Sequence, residues 1–463
     1  MPVFEKKTTL PASAAAVFAW HAAPGAFARL TPPFDKARIV RELTKLADGE
    51  EAVLEVSIGP ATVQWTAVHS DVKDGSDGGV AGFVDTMRDG PFSSWRHEHI
   101  FEPIDEHSSV LRDRITWESL PGAGFVVPAR LQRMFAFRHA VTLDDLQLHS
   151  DLKSPAPIVV GITGASGLIG RELTALLQVL GHEVRPFQRV KAGENAASGS
   201  IAWTPSSGAI DVDVAAAAGL DAVVHLAGEN IADGRLTDDK KKRLHDQRVD
   251  QTQKLFTSLA ALPKPPRVVV GATAVGFYGD RGDEVLDEAS APGTDYLAGF
   301  CVDWQRAVLN TPQTPPWRAV TTRIGIVLSP DGGALGTVLP LFKAGVGGPL
   351  ADGKSWTPAI GVDDMAGVIV RALFDERLRD VVNAVGPTPV RNADYTKVLG
   401  RVLHRPAVVP VPRFALKLAL GDFADTVLAS NRALPVKLND VAHRFRHVDV
   451  EHALRHLLGN VEG

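Results

Sequence analysis

The order of apolar runs predicts an α/β chain built on a doubly wound parallel sheet with a small C-terminal subdomain, preceded by an α+β domain. The strongest signal is residues 158–170, IVVGITGASGLIG. Ile158, Val159 and Val160 form the short apolar run of a strand buried on both faces. Gly164, Gly167 and Gly170 follow at three-residue spacing. Leu168, Ile169, Leu173, Leu176, Leu177 and Leu180 then repeat at helical spacing, and Gly181 stops the helix. A strand, a glycine turn and a helix in this order let the backbone approach a pyrophosphate, which rests on the free N–H groups and positive end of the helix. A tightly packed helix with no ligand would read the same way, but the flanking elements here favour the binding turn. The other two signals are the alternation of strands and helices that continues after residue 170 and the run of short strands before it.

The chain has 463 residues, more than one ordinary core holds. Hydrophobic residues at 45% and charged residues at 22% give a soluble globular profile. A net charge of −5 argues against general nucleic-acid binding. The basic run Lys240–Arg243 follows Thr237, Asp238 and Asp239 at an expected helix start, so it reads as a solvated face. One cysteine, Cys301, excludes an intrachain disulfide and points to a reducing compartment. The N-terminus lacks the apolar core of a signal peptide, and no run approaches a membrane span, so a cytoplasmic protein is expected.

The first domain is expected to reach about residue 150. Val3–Leu10 reads as a strand; Pro11 and Ser13 open a helix over 14–20, and Pro24 starts a second short one. Strand-like runs follow at 52–58, 61–70, 82–88, 94–101 and 109–117, with turns at Gly59-Pro60 and Gly90-Pro91. A long helix over 124–148 closes the domain, so the sheet is expected to curl around it and leave a cavity. Trp95, His97, His99 and Phe101 share one strand face by alternation. A His-x-His pair can chelate a metal, but no third ligand stands in a fixed relation to it, so packing or cavity lining is the reading. The segments VFAWHAAPGAFARLTPPF, GPFSSWRHEHIFEPI and RLQRMFAFRH resemble the START-like, polyketide-cyclase-like superfamily. That resemblance implies a helix-grip fold and an apolar ligand in its cavity.

Residues 151–157, polar and rich in proline, read as a linker, and 158–463 as the second domain. Its second strand, 183–187, ends at Gln188-Arg189. NAD-preferring folds place an acidic residue there; a guanidinium suits a 2′-phosphate, so NADP(H) is expected, against the alternative of a solvated loop charge. A buried strand over 221–228 ends in Leu226, Ala227 and Gly228, small enough for a dinucleotide to lie on the backbone. A long helix over 237–262 carries Arg248; strands at 267–270 and 319–328 flank a helix over 294–310. Ligands bind such sheets beyond the carboxyl ends of their strands, where Gly164–Gly170, Arg189, Leu226–Gly228, Thr273 and the end of the last strand at Leu328 gather.

ITGASGLIGREL, DAVVHLAGENIADGR, VGFYGD, CVDWQ, RIGIVLSPDGGAL, GVGGPLADGKSW and VNAVGPTPVRNADYTKVLGRVLHRPAVVPVP occur in that order. Together they resemble the atypical extended short-chain dehydrogenases/reductases of the sugar-nucleotide epimerase-like group. The resemblance implies a Rossmann-type domain, NADP(H) held by Gly164, Ser166, Gly167, Leu168, Ile169, Gly170, Gln188, Arg189, Leu226, Ala227, Gly228, Arg248 and Leu328, and a C-terminal subdomain over the cofactor.

Such reductases use a Ser or Thr, a Tyr, and a Lys four residues after the Tyr, whose charge brings the phenol toward working pH. Thr273 and Tyr296 match the first two; Phe300 stands at the lysine position. Tyr296 then reads either as the proton donor or as a pocket wall. Tyr278 is a lesser candidate, Cys301 reads as a packed thiol, and Asp363-Asp364 as acids opening a helix. Gly361 stands where the resembling group usually carries a histidine. Two functions remain: an NADP(H)-dependent oxidoreductase or epimerase acting on a small carbonyl or sugar-like substrate, or a non-catalytic NADP(H)-binding sensor or carrier coupled to an apolar ligand. The fold favours the first; the missing lysine favours the second.

Overall fold

The computed structural model describes residues 1–460 apart from 36, 42–44, 59–60, 120–126, 192–193, 206–216 and 218. The expected Gly59-Pro60 turn and the expected helix start at Gly124 lie outside the described residues. The chain divides into two units, one made mainly of Met1–Pro155 and the other of Ala156–Thr174 and His182–Leu458.

In the first unit, β1 (Val3–Leu10), β2 (Ala37–Arg41), β3 (Glu51–Ile58), β4 (Ala61–Lys73), β5 (Ala81–Asp89), β6 (Phe92–Pro103) and β7 (Ser109–Ser119) form one antiparallel sheet in the order β1-β7-β6-β5-β4-β3-β2. β2 was not expected; its alternation is short and mostly exposed. Ser13 caps α1 (Ala14–Ala22), its hydroxyl accepting from Ala16 N at 3.3 Å. α2 (Ala26–Leu30) is tied to α3 (Val127–Asp151) by Arg29, which donates Nε and Nη2 to the two Asp145 carboxylate oxygens at 2.9 and 2.7 Å. Leu131 and Phe135 of α3 pack with Trp95, Ile115 and Trp117 of the sheet. Alternation along β6 buries Trp95, His97, His99 and Phe101, as expected.

In the second unit, β8 (Val159–Thr163), β9 (Glu183–Arg189), β10 (Ile201–Trp203), β11 (Ala222–His225), β12 (Val268–Ala274), β13 (Arg318–Ile324) and β14 (Asp380–Ala384) pair in parallel, in the order β10-β9-β8-β11-β12-β13-β14. β8, β11 and β12 are apolar runs without alternation because both faces are covered. From β8 the chain winds outward through β9 and β10, then returns to β11 on the other side. That reversal between β8 and β11 is the switch point at which such sheets bind ligands.

The expected last strand over 319–328 is two strands. β13 stops at Ile324, and Ile326–Leu328 pairs instead with Ala359–Gly361. Gly325 makes the break: a Cβ there would lie 2.1 Å from Pro358 O. The expected single helix over 237–262 is also divided, into α5 (Asp238–His245), a π turn over Asp246–Asp250, and α6 (Gln251–Ala260). Thr237 caps α5 as expected, accepting from Lys240 N at 3.3 Å. The solvated reading of the basic run fails at Lys240, which is buried and donates Nζ to the carbonyls of Ile231 and Asp233. α7 spans Tyr296–Leu309 and α8 spans Val362–Phe374, opened by Asp363 and Asp364. The helix Gly333–Lys343, α9 (Asn392–Leu403) and α10 (Val450–Leu458) build a separate apolar core around Leu335, Leu339, Tyr395, Leu399 and Leu454. Among the described residues no helix is long and apolar enough to cross a membrane.

Candidate cofactor and active site

The glycine turn sits at the carboxyl end of β8, beside the switch point. Gly164 has φ +71°, and a Cβ there would meet Ala227 N at 2.9 Å. A Cβ on Gly170 would meet Gly164 O at 2.1 Å, so this glycine lets α4 (Leu168–Val179) enter directly against the turn. A Cβ on Gly167 meets only Gly164 O, at 3.2 Å. Gly164 and Gly170 are therefore required by packing, while Gly167 and exposed Ser166 offer bare backbone on the open side. Leu168 and Ile169 are half-buried at the first turn of α4, the end of a helix whose N–H groups have no intrahelical acceptor and which carries the positive end of the dipole.

A polar relay that the sequence reading missed holds the two strand ends together. Thr163 Oγ1 accepts from the N–H groups of Leu226 and Ala227 at 3.1 and 3.2 Å. It lies 2.8 Å from His225 Nδ1; His225 Nε2 lies 2.9 Å from Thr252 Oγ1, which donates to Arg248 O at 2.8 Å. Because Thr252 spends its hydrogen on that carbonyl, its oxygen accepts from His225 Nε2–H, and Nδ1 accepts from Thr163. Burial pushes the His225 imidazole down to about 3, helped by the nearby Arg248 charge, so it stays neutral. Thus β8, β11 and the π turn are joined beneath Leu226, Ala227 and Gly228.

Arg248 leaves the π turn, donates to Glu229 O at 2.8 Å and lies 4.3 Å from the Trp304 ring centre. Its guanidinium packs on Gly228, where a Cβ would stand 2.7 Å from Cζ. Burial lowers its pKa to about 10, which leaves it charged at neutral pH. Its Nε is buried with no hydrogen-bond partner among the described residues. At the end of β9, Gln188 Oε1 accepts from Ala197 N at 2.8 Å, and exposed Arg189 stacks over Trp203 with Cζ 5.6 Å from the ring centre. This is a cradle of bare backbone flanked by one exposed guanidinium and one half-engaged buried guanidinium. It fits a doubly phosphorylated nucleotide.

The two matched catalytic positions differ in environment. Thr273 is buried on β12 and donates Oγ1 to Thr322 O at 3.1 Å. Tyr296 opens α7, is 43% exposed, and its hydroxyl lies 3.4 Å from Lys241 O. Partial burial raises its pKa, and the Asp238 charge adds to this, so the phenol keeps its proton. Phe300 stacks on Tyr296 with ring centres 6.4 Å apart. A lysine does come near: Lys241 Nζ lies 5.1 Å from the Tyr296 ring centre, but over the ring face. Tyr278 is fully buried; its hydroxyl accepts from Arg323 at 2.8 Å and lies 2.7 Å from both Asp287 O and Asn383 Oδ1, which makes it a packing hub. Burial pushes the Cys301 thiol up to about 12, in keeping with a packed thiol.

Leu328, buried at the end of its short strand, lines a cavity with Gly361, Asp364, Thr388 and His447. Here the structure alters one expectation. Gly361 has no imidazole, yet His447 Nδ1 would lie 3.4 Å from a Cβ built on it, and 2.9 Å from Asp364 Oδ2. Asp364 also accepts from Arg446 N at 2.7 Å. A distant segment thus supplies a carboxylate-oriented imidazole to this cavity. No local pattern around Gly361 announces it.

This sheet order, with a glycine turn at its switch point, defines a dinucleotide-binding protein of the short-chain dehydrogenase/reductase kind. Residues 160–384 match the NAD dependent epimerase/dehydratase family, and 411–457 match a domain of unknown function, DUF1731. An epimerase family protein of Mycobacterium bovis is 38% identical over 300 residues, covering 65% of this chain and 97% of the relative. The chain belongs to the NAD dependent epimerase/dehydratase family. Over 98% of this chain and 90% of the other, it is similar to the crystal structure of a nucleoside-diphosphate sugar epimerase from Corynebacterium glutamicum, with 32% identity and a TM-score of 0.78. The human epimerase family protein SDR39U1, solved with NADPH, is 29% identical, with a TM-score of 0.59 over 66% of this chain and all of that one. The family match starts at residue 160 and leaves the N-terminal sheet outside it.

Proposed function

We propose that the second unit binds NADP(H) and works as an oxidoreductase or epimerase on a small carbonyl or sugar-like substrate. The observation that carries this reading is the cradle itself: Gly164 and Gly170 stand where a Cβ cannot, at the switch point, with Arg189 at the end of β9. Gly164, Ser166 and Gly167 would hold the pyrophosphate with the first turn of α4, and Arg189 with Gln188 the adenosine 2′-phosphate. Leu226, Ala227 and Gly228 would bed the dinucleotide, with Arg248 and Leu328 beyond. The NADPH present in the human relative's structure supports the same cofactor. Bound nicotinamide supplies or takes up hydride at a substrate carbon.

The chain's own residues move the proton. Tyr296, kept protonated, donates from the partly exposed start of α7, and Thr273 holds the end of β12 to the neighbouring strand through Thr322 O. His447, aimed by Asp364, is a second proton carrier at the cavity that Leu328 lines. The DUF1731 segment, with the core around Leu399 and Leu454, covers the cofactor side. In the first unit, the antiparallel sheet and α3 are a START-like helix grip for an apolar ligand.

Transfer of deuterium from C4-labelled NADPH to a panel of small ketones, aldehydes and nucleotide sugars tests the chemistry. Transfer is expected, slowed roughly 100-fold or more by Tyr296→Phe or His447→Ala with NADPH affinity retained. Tight NADPH binding with no transfer to any substrate would contradict hydride chemistry. That result would favour the second reading, a cofactor-binding sensor or carrier, with which Phe300 at the lysine position agrees.

A further inference from the structure

We propose that the first unit holds a divalent transition-metal ion between β5 and β6, bound by Asp85, His97 and His99. The sequence offers a His-x-His pair on β6 and hides the third group. Strand pairing supplies it: Asp85 on β5 stands directly opposite His97. One ligand atom from each of the three lies within 4.8 Å of the others.

The orientation of the rings is the stronger argument. On the far side, a single Asp113 oxygen, Oδ1, lies 2.7 Å from His97 Nε2 and 3.0 Å from His99 Nδ1. Both imidazoles therefore turn their remaining nitrogens toward Asp85 Oδ2, His99 Nε2 at 3.2 Å and His97 Nδ1 at 4.0 Å. A carboxylate behind the ligating histidines is the usual outer support of a metal site. Asp113 Oδ2 is held in turn by His139 Nε2 at 2.8 Å, whose Nδ1 meets Thr8 Oγ1 at 2.8 Å. Asp85 has its own support, His69 Nε2, 3.0 Å from Oδ1. Ligands about 2.0–2.2 Å from an ion of the zinc class stand roughly 3.3 Å apart in a tetrahedron; the His99–Asp85 separation of 3.2 Å already meets this, and the His97–Asp85 separation of 4.0 Å has to shorten.

Charge points the same way: Asp85 and Asp113 stand among imidazoles and attract positive charge, which a divalent ion can supply in place of ring protons. The two histidine side chains are 5% and 7% exposed, whereas Asp85 keeps 21%, which gives an ion its entry. Three protein ligands of N,N,O type leave a coordination position for water or a bound molecule.

The test uses the full chain, stripped of metal and free of any histidine tag, titrated with Co²⁺ and followed in the visible, with Zn²⁺ measured by equilibrium dialysis. One ion per chain is expected, with tetrahedral Co²⁺ bands that Zn²⁺ abolishes. Asp85→Asn and His99→Gln should each weaken binding at least 100-fold, and Asp113→Asn about 10- to 100-fold. Circular dichroism verifies that each variant is folded. If His99→Gln does not fold, Asp85→Asn, at the more exposed ligand, and paramagnetic broadening of the wild-type His97 and His99 ring protons decide. Absence of stoichiometric binding to the wild type overturns the proposal, as does unchanged affinity in Asp85→Asn. Neither result bears on the nucleotide site in the other unit.

Discussion

A neutral imidazole at His225 ties Thr163 to Thr252, and its chemistry sets a measurable pH dependence. Its folded pKa lies near 3, against about 6.5 in an unfolded chain. Below pH 6.5 the unfolded chain takes up a proton that the folded chain refuses. The group's contribution is therefore complete above about pH 6.5 and is lost as pH falls toward 3, at up to about 1.4 kcal/mol per pH unit. Urea midpoints followed from pH 7.5 down to 4.5 should fall less steeply in His225→Leu than in the wild type; equal slopes would mean that His225 titrates normally. At pH 7.5 the same variant should lose roughly 1–3 kcal/mol, because Thr163 and Thr252 lose a buried partner. The proposed proton carriers differ in kind from His225. Tyr296 is exposed and keeps its hydrogen, and His447 owes its place to Asp364.

Turns and helix starts carry the proposed nucleotide site. Gly170→Ala would set a methyl 2.1 Å from Gly164 O and 2.8 Å from Ala165 Cα, both backbone atoms that cannot swing away. It should cost about 1–3 kcal/mol and weaken NADPH binding, read as the denaturation midpoint and as quenching of protein fluorescence. A variant with both unchanged would show that α4 does not need its close entry. Elements of this sort were legible in the sequence because their signals are local: the glycine spacing, the apolar runs of β8 and β11, Thr237 ahead of two acids. The failures are non-local or slight. β10 has three residues; the π turn that presents Arg248 keeps helical spacing; the break at Gly325 depends on Pro358, far along the chain. Asp85 became the third group beside His97 and His99 only through strand register, and His447 reached Gly361 only through tertiary packing.

Across the molecule, two units with different sheets carry different sets of chemical groups. The antiparallel sheet buries imidazoles and carboxylates against one another; the parallel sheet gathers bare backbone and guanidinium at its strand ends. Family membership fixes the second of these as a dinucleotide fold, but reaction and substrate do not follow from fold. Arg189 stands at the end of β9, where an acid would select the unphosphorylated coenzyme. Calorimetric titration of the full chain with NADPH and with NADH addresses that point directly. NADPH should bind more tightly, and Arg189→Ala should remove roughly 10- to 100-fold of its affinity while leaving NADH almost unaffected. No heat with either coenzyme on folded protein would contradict the nucleotide site altogether, and equal affinity for both would contradict the role given to Arg189.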